Sequence, residues 1–266
     1  AVAVRILVHE LERIVVGFDA RDREHRPEDL VAVGIHLGRH VVDERRAEEE
    51  TVTLDLELPP VGDAAEPLVA AIKERLPGLK IGPGLEPENE MGPLITREHR
   101  DKVASFIENA PGEGATVVVD GREGAPDGGG FFLAPSLIDD VKPEMELYIE
   151  EIFGPVLGVT RVDTYDEALA LVNENSYGNG TAIFTRDGGV ARRFQFDVQA
   201  GMVGVNVPIP VPVAYYSFGG WKASLFGDTH IYGPEGITFY TRGKVVTSRW
   251  PDPATSKVDL GFPQTR

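Results

Sequence analysis

The chain of 266 residues contains no cysteine. That excludes a disulfide framework, a thiolate metal site and a thiol nucleophile within these residues. No apolar run approaches the ~18 residues that a membrane-crossing helix needs. The opening Ala1-Val2-Ala3-Val4-Arg5-Ile6-Leu7-Val8-His9-Glu10 meets charge too early for the apolar region of a secretory signal. Positive charge is scarce: 26 Lys and Arg against 43 Asp and Glu give a net charge of -17. Such a surface repels nucleic acid and anionic membranes, so neither is an expected partner. A soluble cytoplasmic protein is the expectation. Twenty Pro and thirty Gly point to many short turns rather than a long helical array.

Residues 1–55 differ in composition from the rest. This stretch uses Arg but no Lys, and it has no Ser, Asn, Gln, Tyr or Met. Asp43-Glu44-Arg45-Arg46-Ala47-Glu48-Glu49-Glu50 is densely charged, and Thr51 to Leu58 alternates apolar and polar residues as a half-buried strand does. Two readings stand side by side: a separate small module, or foreign or frameshifted sequence.

After Pro60 the pattern is regular. Asp63-Ala64-Ala65-Glu66 reads as a capping box, followed by a helix with Leu68, Val69, Ile72 and Leu76 on one face, closed by Pro77-Gly78. Thr96 caps a second helix that carries Val103, Phe106 and Ile107. Ala115 to Val119 reads as a short buried strand. Thr164-Tyr165-Asp166-Glu167 is a second capping box. Thr181 to Thr185 reads as a strand, Asp187 to Phe196 as a helix, and Met202 to Val207 as a strand. Strands alternating with helices of this length imply an α/β fold with a parallel sheet. Ile237 to Val246 reads as a last extended segment, and Pro251 onward as a polar tail.

Two regions could carry chemistry. Glu150 and Glu151 precede Ile152-Phe153-Gly154-Pro155-Val156, where Gly-Pro forces a turn into a strand. A carboxylate in such a loop can accept both hydroxyls of a ribose, and Phe153 can offer a flat face to a nicotinamide ring. A solvated helix end accounts for the same acidic pair. The second region starts at Asn206 and runs through Val207-Pro208-Ile209-Pro210-Val211-Pro212-Val213, a stiff extended strand that cannot join a central ladder. The Asn206 amide could bind a carbonyl or an oxyanion. Tyr215-Tyr216-Ser217-Phe218-Gly219-Gly220-Trp221-Lys222 suits either a substrate tunnel wall or core packing. Gly128-Gly129-Gly130 reads as a turn and Asp139-Asp140 as a solvated turn. The six His show no metal-ligand spacing, and no metal is expected.

From about Val61 to Pro251 the chain resembles the C-terminal part of the aldehyde dehydrogenases. More narrowly, it is similar to the coenzyme A-acylating methylmalonate-semialdehyde dehydrogenases. The resemblance rests on four stretches: Lys80-Ile81-Gly82-Pro83-Gly84 with Met91-Gly92-Pro93-Leu94-Ile95-Thr96; Phe131-Phe132-Leu133-Ala134-Pro135-Ser136-Leu137; Glu150 to Val156; and Gly204 to Asp228. It implies a cysteine thiolate that attacks an aldehyde, hydride transfer to NAD, and passage of the acyl group to coenzyme A. Carbon dioxide is lost when the substrate is malonate or methylmalonate semialdehyde.

By the same resemblance Glu151 and Phe153 would contact the cofactor, Asn206 and Phe218 would line the aldehyde channel, and Thr238 to Val246 would join subunits. The implied organisation is an unmatched segment at 1–55, a partial catalytic domain at 56–237, an oligomerisation strand at 238–250 and a tail at 251–266. The family's dinucleotide-binding domain and its Arg-Cys pair lie upstream of everything matched. No catalytic residue is therefore assigned, and tight binding of NAD or coenzyme A by this chain alone is not expected. The expectation is an inactive chain. A non-catalytic subunit of an intact homologue and a ligand-binding module remain the alternatives, and the expected partner is a second copy in a homo-oligomer or an intact homologue.

Overall fold

The computed structural model describes residues 31–36, 55–124, 126, 130–207, 210, 216, 219–227, 229–230, 233–250 and 254, with 31–36 and 55–57 described by backbone alone. Among them, seven strands form one sheet: β1 (Val31–His36), β2 (Asp55–Leu58), β3 (Thr116–Val119), β4 (Ser136–Asp139), β5 (Val156–Val159), β7 (Gly180–Phe184) and β8 (Met202–Val205), in the order β3-β4-β5-β2-β1-β7-β8. A separate pair joins β6 (Tyr177–Gly178) to β9 (Trp221–Lys222). The helices are α1 (Ala65–Arg75), α2 (Arg97–Glu113), α3 (Glu146–Ile149), α4 (Tyr165–Glu174), α5 (Gly188–Asp197) and α6 (Pro234–Tyr240).

β4 pairs parallel with β5, β5 with β2, and β7 with β8. β1 runs antiparallel to both β2 and β7, so those two strands point the same way. Five strands therefore share one direction, with β1 reversed in their midst and β3 reversed at the edge.

Side-chain alternation divides the core between the two faces. Leu137, Leu157 and Val159 meet the α1 stripe of Leu68, Val69 and Ile72. Ile138 and Val156 point the other way, onto Val103, Phe106 and Ile107 of α2. Ile183 meets Ala168 and Val172 of α4 and Phe194 of α5, on the face opposite Ala182 and Phe184. Each fully buried Leu, Ile or Val in these clusters contributes about 1.5–3 kcal/mol relative to exposure. The helical stripes read from the sequence are thus the ones that pack.

The caps follow the sequence in two of three cases. Thr96 accepts from the amide of His99, and Thr164 with Glu167 forms the full reciprocal box. At Asp63-Ala64-Ala65-Glu66 no box forms. A 3-10 turn over Gly62–Ala64 leads into α1, and the Glu66 carboxylate instead meets Arg161 at 3.0 Å. β3 is half-exposed rather than buried, because it lies at the sheet edge.

Ile237 to Tyr240 are helical rather than extended. Gly233, at φ 73°, and Pro234 at the first helical position start α6, and the Thr238 hydroxyl donates to the carbonyl of Pro234 at 3.0 Å. Residues 241–250 have no regular structure and are exposed. Asp139 is not part of a solvated turn: it is buried and ion-paired with Arg161. Phe218, most of the proline run, Gly128, Gly129, Thr51 to Leu54 and nearly all of the tail lie outside the described residues.

Candidate functional site

The loop between α3 and β5 is built by local constraints. The Glu150 amide donates to the carbonyl of Glu146 at 2.9 Å, closing α3, and Glu150 then turns extended. Glu150 is exposed, Glu151 and Phe153 are half-buried, and Ile152 is buried in the α2 cluster. Phe153 holds a left-handed backbone with φ 52°. Its carbonyl oxygen lies 2.7 Å from Nε2 of His99. A carbonyl can only accept, so Nε2 carries the proton in this bond. His99 is itself fixed by the Thr96 cap. Gly154 is required by close approach: a Cβ there would overlap the fully buried side chain of Val103. The amide of Ser136 then donates to Pro155 at 2.8 Å and β5 begins.

Asn206 stands just beyond β8 with φ 55°. Its Oδ1 accepts from the Thr185 amide at 2.9 Å and its Nδ2 donates to the Thr185 carbonyl at 3.1 Å. Its own amide donates to the carbonyl of Ile183 at 2.8 Å. Both polar atoms of the side chain are thus engaged with backbone, and the residue acts as a clasp between the ends of β7 and β8. One N–H and one lone pair of the amide lie beyond these two bonds.

Strand direction separates the candidates. Glu151 and Phe153 precede β5 and lie at the amino ends of the co-directional strands, whereas Asn206 follows β8 at their carboxyl ends. Four strand spacings divide β5 from β8, roughly 19 Å by spacing alone. The structure does not bring the two groups together.

Beside the first group is an open pocket of about 520 Å³, lined by Glu113, Glu144, Met145, Glu146, Ile149 and Glu150. Four of these six side chains are carboxylates, so the pocket disfavours a phosphate-bearing ligand. Among the described residues, no group of three or more His, Asp or Glu is placed to hold a metal ion, and no helix is long and apolar enough to cross a membrane.

Two basic groups serve the scaffold. Arg161, just past β5, grips Asp139 with Nε at 3.0 Å and Nη2 at 2.6 Å, and it also reaches Glu66 of α1. The hydrogen bonds it donates to the Asp139 carboxylate lead in holding this guanidinium well above its ordinary range. Lys222 donates to the carbonyls of Asn173 at 2.8 Å and Asn175 at 3.1 Å, capping the end of α4, while burial pulls its ammonium below the ordinary lysine range.

Residues 61–246 match the aldehyde dehydrogenase family. The chain belongs to that family. Over 207 residues it is 53% identical to the malonate-semialdehyde dehydrogenase of Pseudomonas aeruginosa, covering 76% of this chain and 42% of that protein. Among solved structures it is similar to the methylmalonate-semialdehyde dehydrogenase of Oceanimonas doudoroffii. There the TM-score is 0.67 at 53% identity, covering 73% of this chain and 40% of that one. It is also similar to the betaine aldehyde dehydrogenase of Staphylococcus aureus solved in complex with NAD+, with a TM-score of 0.61 at 34% identity, covering 68% of this chain and 36% of that one. This aldehyde dehydrogenase chain spans about two fifths of the length of the first two relatives.

The pocket beside Glu151 and Phe153 is lined mainly by carboxylates, whereas a pyrophosphate needs hydrogen-bond donors. His99 and Arg161 escaped the sequence reading, and Val103, read there as part of a helix's apolar face, was not linked to Gly154. Each acts on a partner roughly 20 to 95 positions away, which no local pattern signals.

Proposed function

We propose that this chain carries the C-terminal catalytic-domain portion of a coenzyme A-acylating malonate- or methylmalonate-semialdehyde dehydrogenase, and that the 266-residue chain by itself does not turn over. The observation that carries the reading is 53% identity to a malonate-semialdehyde dehydrogenase in a chain without cysteine. Family chemistry through a thioester needs a thiolate. Within the whole enzyme, Glu151 would hold the nicotinamide ribose of NAD and Phe153 would bound the ring, with His99 fixing the Phe153 backbone. NAD would supply the hydride acceptor and coenzyme A the acyl acceptor. Asn206 would hold the β7–β8 end beside the channel that Phe218 would line. A cytoplasmic location goes with this reading.

The test is direct. Purified chain is mixed with malonate or methylmalonate semialdehyde, NAD and coenzyme A, and NADH is followed. No NADH above the enzyme-free rate is expected, and NAD should leave intrinsic fluorescence unchanged. Sustained NADH formation would overturn the reading.

A second reading, a non-catalytic subunit of an intact homologue, is favoured by the exposed Ile237, Phe239, Tyr240, Val245, Val246 and Trp250. Residues 238–250 would then form the subunit contact. Co-expression with the Pseudomonas aeruginosa enzyme should give a mixed oligomer on size exclusion; separate elution of the two chains would remove this reading.

A further inference from the structure

We infer that the gap between β2 and β7 is a strand-acceptor groove and that Val31–His36 is its occupant in cis, so that a segment outside the family match completes the sheet. The family match begins at residue 61, whereas β1 lies at 31–36. β1 nevertheless stands between β2 and β7, with Ile35 opposite Leu56 on one side and Val33 opposite Ala182 on the other. Without it the sheet would divide into β3-β4-β5-β2 and β7-β8.

The facing edges would then present rows of unpaired amides and carbonyls. Along β7 these groups belong to Gly180–Phe184, all five of them buried, where unmet hydrogen bonds are most costly. The occupant suits the place: Val-Ala-Val-Gly-Ile-His has neither proline nor a residue of fixed charge. Its reversed direction marks it as an insertion, because its two neighbours are co-directional with each other and with β4, β5 and β8. The groove thus selects an extended, uncharged segment through backbone pairing. The inference is independent of the catalytic reading, since it concerns which residues close the sheet.

The absence of native cysteine makes the test clean. Residues opposite each other in an antiparallel ladder have Cα atoms about 4.5–5.5 Å apart, within disulfide reach. In full-length protein, Val33→Cys with Ala182→Cys, and Ile35→Cys with Leu56→Cys, should each oxidise to an intramolecular disulfide. Val33→Cys with Gly180→Cys, two residues out of register, should not. On unmodified chain, hydrogen exchange should protect the amides of 31–36 to the same degree as those of β7.

Free, reagent-reactive thiols in the in-register pairs would overturn the proposal. So would disulfides formed only between two chains, which would put a second copy in the groove. Rapid exchange at 31–36 beside a protected β7 would overturn it as well, and that measurement decides the matter if the cysteine variants fail to fold.

Discussion

Nε2 of His99 lies 2.7 Å from the carbonyl oxygen of Phe153, a residue whose backbone occupies the left-handed region at φ 52°. A non-glycine residue persists there only when its surroundings hold it. His99→Ala should destabilise the chain by about 1 kcal/mol, the usual net value of one hydrogen bond. It should also speed amide exchange in residues 150–154. His99→Gln, whose side-chain amide can donate to the same carbonyl, should recover part of both effects. Urea denaturation and exchange mass spectrometry read them.

The α2 helix meets the same loop at a second point. A side chain at 154 would overlap Val103, which has no exposure at all. Gly154→Ala should therefore cost about 1–3 kcal/mol, the usual range for overpacking. Val103→Ala alone should cost about 1–3 kcal/mol through lost burial and a cavity. The double variant should be more stable than the sum of the two losses allows, because the removed methyl groups make room for the added one. Strict additivity in a double-mutant cycle would mean that the two residues do not meet.

Asn206 offers a separation of side chain from backbone. Asn206→Gly keeps the left-handed conformation and removes both hydrogen bonds to Thr185, so a loss of about 1 kcal/mol is expected at this exposed position. Asn206→Ala removes the same bonds and adds the strain of a Cβ at φ 55°, so it should lose about 1 kcal/mol more than the glycine variant. The order glycine above alanine in thermal melting is the check.

Asp120 gives a pH signature. Its bidentate hydrogen bond from Arg122, with Nε at 3.0 Å and Nη2 at 2.7 Å, holds the carboxyl below its ordinary value of 3.8. The unfolded chain therefore binds this proton more readily than the folded chain does. The pair's stabilisation is fully present above about pH 4 and fades as pH falls through the lower folded value. It amounts to less than about 1 kcal/mol, because the pair is partly exposed and screened. Asp120→Asn should lower the urea midpoint slightly at neutral pH and leave it nearly unchanged near pH 2.

Local chemistry was legible in the sequence; pairings over distance were not. Thr96 and Thr164 cap helices because the hydroxyl and its target amide lie three residues apart, a spacing that can be read directly. The stripes of α1 and α2 follow from helical period. Gly154-Pro155 announced a turn, although the reason for the glycine lay in Val103, some fifty residues earlier. The box at 63–66 failed because Arg161 claims Glu66, and Asp139 looked solvated for want of that same partner. Asn206 carried a chemically able amide, but what the amide binds is fixed by the neighbouring strand end at Thr185. β1 was the least legible element: its segment gave no family signal, and its place depends on two strands far along the chain.

The sheet order also sets a timetable for synthesis. Leu56 of β2 pairs beside Leu157 of β5, and Val31 of β1 beside Phe184 of β7. At about 5–20 residues per second, roughly 8–30 s pass between translation of Val31 and translation of its partner. During that interval an uncharged strand is available to any other open edge, including that of a neighbouring nascent chain. β1, an interior strand, is made before both strands it pairs with and is seated late, so yield of folded protein should depend on translation speed and on how crowded the message is with ribosomes.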